Sequence, residues 1–154
     1  MKKLMLATCL IGMYSSAQAA PNIWMESFGQ GFNIFSIQDS RGQTLTVSCN
    51  SGAGEDYDHS AYFETHNKKN YENRDHKFPL SFIIDGVAVS PSTNTTTRNG
   101  ANDWGQFTQA ISKGKKIEVF INNRKMTTFT PAKSSMKIAK VINSSTCQAQ
   151  FYNS

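Results

Sequence analysis

The chain is short of cysteine, of long apolar runs and of any assembled catalytic motif, and each absence removes a class of function. Only 3 cysteines occur in 154 residues. None forms a Cys-x-x-Cys pair, which removes the usual redox-active dithiol and the paired-cysteine zinc sites. The apolar run from Leu4 to Met13 is too short to span a bilayer, and no second stretch approaches the ~18 residues of a membrane-spanning helix. No Gly-x-Ser-x-Gly, and no Ser-x-x-Lys with its partner motifs, marks a nucleophile. There is no His-Glu-x-x-His. The stretch Gly52-Ala53-Gly54-Glu55-Asp56-Tyr57-Asp58 has neither the ligand series of an EF-hand nor the Lys-Ser/Thr ending of a phosphate loop.

What the N terminus does contain is Lys2 and Lys3, then the apolar run, then Ala17 and Ala19 at the −3 and −1 positions of an Ala-x-Ala cleavage site. This is the three-part layout of a bacterial-type secretory signal. Residues 1–19 are expected to be cleaved after Ala19, leaving 20–154 as a single secreted domain, periplasmic or released. Thr8 is a poor residue before a lipidated cysteine, so Leu6-Ala7-Thr8-Cys9 is not read as a lipoprotein box. Cys9 leaves with the signal, and Cys49 and Cys147 remain in a compartment where disulfides persist. Bridging them closes ~100 residues, worth about 4–5 kcal/mol in the chain-entropy model, so a structural role is expected. Without Lys2 and Lys3 the formal charge of +5 falls to +3, a balance that suits an acidic partner without requiring one. Export, and the lack of an aromatic–basic strand signature, argue against nucleic acid as a partner.

Strand signals dominate the remainder. Phe32 to Gln38 is apolar and β-prone, Asp39-Ser40-Arg41-Gly42 is a turn, and Gln43 to Cys49 alternates, with Leu45, Val47 and Cys49 on one face. Cys147, Ala149 and Phe151 repeat that alternation, which places both cysteines on inward faces of strands. Leu80 to Ser90 holds Asp85-Gly86 between two apolar runs, a two-residue hairpin turn. Ile117, Val119 and Ile121 alternate, Asn122-Asn123 turns, and Met126 to Thr130 runs on until Pro131. Two short helices fit between these strands. Asn102 or Asp103 is expected to cap one that carries Trp104, Phe107, Ala110 and Ile111, with Gly114 as its stop; Ser134 or Ser135 caps a second near 135–142, with Ile138, Val141 and Ile142 inward. The expected fold is α+β, a mainly antiparallel sheet or β-sandwich with two short helices and one disulfide.

Two polar stretches are long enough to carry function, residues 52–77 with a short strand at Ser60 to His66, and 91–102. All 3 histidines fall in the first. On a strand, Tyr62, Glu64 and His66 share a face, so His59, Glu64, His66 and His76 are the candidate metal ligands, although their spacing matches no known ligand pattern. Glu64 paired with His66 or His76 is the corresponding acid/base candidate. Lys133, Lys137 and Lys140 lie within ~60° on one side of the second helix, and Lys113, Lys115, Lys116, Arg124 and Lys125 form another basic group. Asn94-Thr95-Thr96 and Asn143-Ser144-Ser145 match the glycosylation triplet and are read as polar loop residues.

The second half has a recognisable order. Leu80-Ser-Phe-Ile-Ile-Asp-Gly86 precedes a polar loop, then come Trp104-Gly-Gln-Phe-Thr-Gln-Ala-Ile111, Lys113-Gly-Lys-Lys-Ile-Glu-Val119, Met126-Thr-Thr-Phe-Thr130, a Ser-containing helix and Cys147. Over residues 43–150 this layout resembles the TagO/VasI-type proteins associated with type VI secretion, and it is similar to the invasion-associated IalB type. It departs from the IalB type in the closing segment Pro131 to Met136, and from the TagO type in having one cysteine pair. The resemblance implies an accessory or surface-binding role, and it carries no functional residue across.

The function expected from these observations is that of a non-enzymatic exported binding protein with no cofactor. It would serve as a secretion-system accessory, or as an inhibitor or immunity factor for an envelope toxin or hydrolase. Its partner would be another protein of the bacterial envelope or one released with it. Loop 52–79 would supply specificity, with Tyr57, Tyr62 and Tyr71 as anchors, of which Tyr62 is the most prone to be core. Lys133, Lys137 and Lys140 would supply attraction. The rival is a small secreted hydrolase or metal-dependent protein built on the histidine loop.

Overall fold

The computed structural model describes residues 20–153, so the secretory signal read at 1–19 lies outside the described residues. Apolar residues alternating with a period of two set the strands. Strands β1 (Met25–Gly29), β2 (Phe32–Gln38), β3 (Thr44–Asn50), β4 (Ser60–Glu64) and β5 (Asn70–Glu72) form an antiparallel meander in that spatial order. Strands β6 (Leu80–Ile84), β7 (Val87–Val89), β8 (Ile117–Ile121) and β9 (Arg124–Phe129) form a second antiparallel sheet in the order β7-β6-β8-β9. Helix α1 (Arg98–Ile111) links β7 to β8, and a four-residue α2 (Met136–Ala139) follows β9. The described residues are thus α+β, mainly antiparallel sheet, with two short helices and one disulfide.

Three hairpins turn at residue pairs held in the left-handed region: Gln30-Gly31 (φ 52° and 82°), Asp85-Gly86 (49° and 87°) and Asn122-Asn123 (50° and 60°). Positive φ at both positions is the type I′ geometry, whose twist matches that of the flanking strands, and Gly, Asn and Asp tolerate it best. Both sheets turn their apolar faces into one cluster. Phe35, Ile37, Leu45, Val47, Cys49, Ala61 and Phe63 enter it from the first sheet; Phe82, Ile117, Val119 and Phe129 enter from the second. Helix α1 bridges the two. Its Phe107 ring lies 5.2 Å from Phe82 of β6, and its Trp104 ring stacks 5.3 Å from His59, which precedes β4.

The structure corrects several expectations. Helix α1 starts at Arg98, not near Asp103, because Thr97 in extended geometry accepts the Gly100 N–H (3.2 Å) and so caps the helix. Gly100 is required there: a Cβ would lie 1.7 Å from the Asn94 carbonyl oxygen. The second helix is α-helical only over Met136–Ala139 and is flanked by 3₁₀ turns at Lys133–Ser135 and Lys140–Asn143. The C-terminal residues are not a strand. Ser145–Cys147 and Gln150–Tyr152 are 3₁₀ turns, so the disulfide joins strand β3 to a turn. Cys147 and Ala149 are buried as the alternation implied, but Phe151 is exposed. Strands β1 and β5 are additions to the sequence reading.

The Cys49–Cys147 bridge spans 98 positions. A Cys49→Ser/Cys147→Ser variant is expected to lose about 2–5 kcal/mol of unfolding free energy, read as a lowered urea midpoint. An unchanged midpoint would remove the bridge from the account of stability.

Candidate functional site

The long loop between β3 and β4 is fixed at both ends. Asn50, the last residue of β3, accepts the N–H groups of Gly52 and Ala53 on Oδ1 (3.2 and 2.9 Å) and donates from Nδ2 to the carbonyls of Gly54 and Tyr57 (2.7 and 2.6 Å). One amide side chain thereby shapes the turn from 51 to 57. That turn lies directly on Gly31, where a Cβ would approach Ala53 N to 2.3 Å. At the other end, Asp58 accepts the backbone N–H of Thr95 (2.6 Å), the Thr95 hydroxyl and the backbone N–H of its neighbour His59 (2.7 Å). Thr95 is fully buried, and its carbonyl accepts from Phe151 N (3.0 Å) while its hydroxyl oxygen accepts from Gln150 N (3.2 Å). Two loops and the C-terminal turns therefore share one hydrogen-bonded seam.

His59 lies at the centre of that seam and is 2% exposed. Its Nδ1 accepts the Asn50 N–H (3.0 Å), which fixes the other ring nitrogen as the donor, 2.7 Å from the Gln148 carbonyl. The ring stacks on Trp104 at 8° between planes, and the Trp104 Nε1–H donates to the Cys147 carbonyl (2.9 Å). Imidazole, carboxylate and hydroxyl thus meet here, but not as a catalytic relay. Both ring nitrogens are committed to the backbone, and the Asp58 oxygens accept from Thr95 and from the His59 main chain. A general base needs a free acceptor within reach of the proton it takes, and His59 has none.

The other sequence candidates are dispersed. Strand β4 ends at Glu64, so His66 falls in the following turn and does not share its face; His66 and His76 are exposed, and Glu64 pairs with Lys68 at 2.8 Å. Among the described residues no group of three or more His, Cys, Asp or Glu is arranged to hold a metal ion. Of the tyrosines, Tyr71 is the core residue, 9% exposed and edge-on to Phe78, whereas Tyr62 is half-buried, because β5 turns Tyr71 inward opposite Phe63. Tyr57 is 57% exposed, its ring edge-on to Phe32 at 6.2 Å. Lys133, Lys137 and Lys140 are exposed, each on a different segment of the broken second helix.

Between the β3–β4 loop and the C-terminal turns opens a groove of about 490 Å³, lined by Gly52, Gly54, Glu55, Thr96, Gln150 and Phe151, with Asn50 and His59 also contributing to its wall. Sequence reading located the loop but missed Thr95, Gln148 and Gln150, whose roles arise from contacts to residues 37 to 93 positions away. Nothing in the residue types themselves signals those contacts.

Burial lowers the His59 pKa below its usual 6.5, and the Gln148 carbonyl and the Asp58 charge oppose this only in part. The unfolded chain therefore takes up this proton first. Stability from neutral His59 is full above about pH 6.5 and is lost as pH falls from there through the folded value. Unfolding free energy is expected to drop as pH falls below about 6.5. A His59→Phe variant, which keeps a ring on Trp104, should be less stable above that pH yet show a flatter profile. Equal slopes for the two proteins would assign the pH dependence to other groups.

The family model YfjT matches residues 22–138, a span that includes both sheets and α1. Among curated relatives, YkfB of Escherichia coli (strain K12) is 27% identical over 132 residues, covering 84% of this chain and 84% of YkfB. YfjT of the same strain is 25% identical over 133 residues, covering 85% of each. Both are described as uncharacterized proteins, and neither name denotes an enzyme. No solved structure matches the chain. With the family model covering most of its length, the chain belongs to the YfjT family.

Proposed function

We propose that this protein is a non-enzymatic binding protein, exported to the periplasm or released, that recognises another protein of the bacterial envelope. Its role would be that of a secretion-system accessory or of an inhibitor or immunity factor for an envelope toxin or hydrolase. The observation that supports this reading is the seam around His59. The cluster richest in chemically capable side chains has its ring nitrogens and carboxylate committed to holding loops, and what those loops present outward is a groove and exposed side chains. Rigid loops on a sheet frame suit recognition, because little ordering entropy is lost on binding. The bridge between Cys49 and Cys147, and the absence among the described residues of any helix long and apolar enough to cross a membrane, are compatible with an exported location. Layout similarity to TagO/VasI-type and IalB-type proteins supports the accessory role.

In this reading Tyr57 and the half-buried Tyr62 are the anchors, and Tyr71, being core, is not. A photo-crosslinking residue placed at Tyr57 in living cells is expected to give one discrete protein adduct. With that partner purified, replacing Lys133, Lys137 and Lys140 by Ala should slow association about two- to tenfold at low salt and change dissociation little, since exposed charges act mainly on encounter. Tyr57→Ala should do the reverse. Stoichiometric zinc in untagged protein, lost on His66→Ala and His76→Ala substitution, or turnover of a cell-wall or peptide substrate, would replace this reading with the hydrolase.

A further inference from the structure

The geometry points to a recognition pocket for a basic side chain, Arg or Lys, presented by the partner protein, in the groove between the β3–β4 loop and the C-terminal turns. The inference rests on the binding reading above and names the chemistry that the groove selects.

Most carboxylates of the molecule are already engaged. Glu64, Glu72 and Glu118 are paired with Lys68, Arg74 and the Lys116/Lys125 couple, and Asp39 lies beside Arg41. Asp58, Asp75 and Asp85 accept backbone N–H groups. Glu55 lines the groove and Asp56 follows it; both are exposed, and neither has a hydrogen bond or ion pair among the described residues. Among the described residues no cationic side chain lines the groove. Of the four exposed carboxylates without such a partner among the described residues, Glu26 and Asp103 stand singly on β1 and α1, whereas Glu55 and Asp56 adjoin at this opening.

The wall supplies the second half of the specificity. It joins the aromatic Phe151 of the C-terminal turns to the side-chain-free Gly52 and Gly54 of the β3–β4 loop. Most side-chain donors that reach it are already engaged: Asn50 by the loop, His59 by Gln148, Thr96 by Asn94, and the Gln150 and Asn153 amide nitrogens by the Tyr57 and Gln148 carbonyls. The side-chain oxygens of Gln150 and Asn153 can only accept, which also suits a cationic donor. An apolar wall beside one unpaired carboxylate matches a long methylene stem carrying a cation, with the stem on the ring and the head on Glu55. An anion is disfavoured by the sign of the charge, and a bare metal ion by the lack of further ligands. The volume of about 490 Å³ accommodates such a side chain with room for its flanking backbone.

The test uses Nα-acetyl-arginine N-methylamide as the probe and its citrulline counterpart, which has the same shape and no charge, as the control, with binding followed by amide chemical shifts of the full mature chain. The arginine probe should shift Gly52, Gly54, Thr96 and Phe151, and the citrulline probe should not. Glu55→Gln should weaken the arginine probe about fivefold, the effect of ~1 kcal/mol, and added salt should weaken it further; Glu26→Gln, the same change at an exposed carboxylate on β1, should leave it unchanged. Glu55 makes no internal hydrogen bond or ion pair among the described residues, so the variant keeps its fold. Equal responses to the two probes, no response at the groove, or shifts that track protein concentration without probe, which would make a second copy the occupant, each overturn the inference. If a partner is captured but its affinity ignores Glu55→Gln, this inference fails while the binding reading stands. Probe binding with no partner would do the opposite.

Discussion

The C-terminal turns have no strand or long helix to hold them, and the Cys49–Cys147 bridge is what brings them to the sheet. Once Cys147 is fixed beside Cys49 of β3, its carbonyl meets the Trp104 indole N–H and the next carbonyl, of Gln148, meets His59 Nε2. Buried backbone acceptors need partners, and here side chains from α1 and from the β3–β4 loop provide them in place of a neighbouring strand. The stacked rings of His59 and Trp104 complete the attachment. Without the covalent link, the entropy of placing a terminal segment against these donors would have to be offset by a few hydrogen bonds, each worth about 0.5–1.5 kcal/mol net.

The opposite end of the β2–β3 hairpin is secured without any covalent bond. Asp39, 7% exposed at the turn, accepts the N–H groups of Arg41 and Gln43, the Gln43 side-chain amide and the Thr127 hydroxyl of β9. Burial raises the pKa of this carboxyl, but the donors from Thr127, Gln43 and Arg41 outweigh that and hold it below 3.8. Asn22 completes the join, because its backbone N–H donates to Gln38 of β2 while its carbonyl and side chain accept from Ala132 and Thr130 beyond β9. The β2–β3 hairpin is therefore tied to the second sheet at its turn by a charged hydrogen-bond cluster, and the far end of β3 is tied to the C-terminal turns and α1 by the disulfide and its flanking rings. One buried group goes unserved: the Trp24 indole nitrogen has no partner among the described residues, which costs about 1–3 kcal/mol.

Strands buried on one face were legible because their residues alternate. Phe32 to Gln38, Thr44 to Cys49, Leu80 to Ile84 and Ile117 to Ile121 all show the period, and the turn residues Asp85-Gly86 and Asn122-Asn123 punctuate them. Strand β1 was not legible, since all five of its residues are at least partly exposed and an edge strand need not alternate. Strand β5 has three residues, too few for a period to register. The C-terminal alternation misled for a different reason: Cys147 and Ala149 are buried by a bridge and a helix, and spacing alone does not distinguish that from a strand. In the candidate site, proximity in sequence suggested that the three histidines act together. The fold separates them by placing His59 before β4, His66 after it and His76 beyond β5.

The groove joins parts of unlike standing. Its β3–β4 wall lies within the span matched to the YfjT family, whereas Gln148, Gln150 and Phe151 lie past residue 138, where that match ends. The frame made by the two sheets and α1 is complete without the side chains of 150–153, since the core cluster draws only Cys147 and Ala149 from the C-terminal turns. Gln150, Phe151 and Asn153 all line the groove, so substitutions there alter its lining and leave the core cluster untouched. Substitutions at Asn50, Asp58 or Thr95 reshape the loops themselves. The disulfide belongs to both parts: it lies in the core, and with the hydrogen bonds from Trp104, His59 and Thr95 it sets the second wall against the β3–β4 loop.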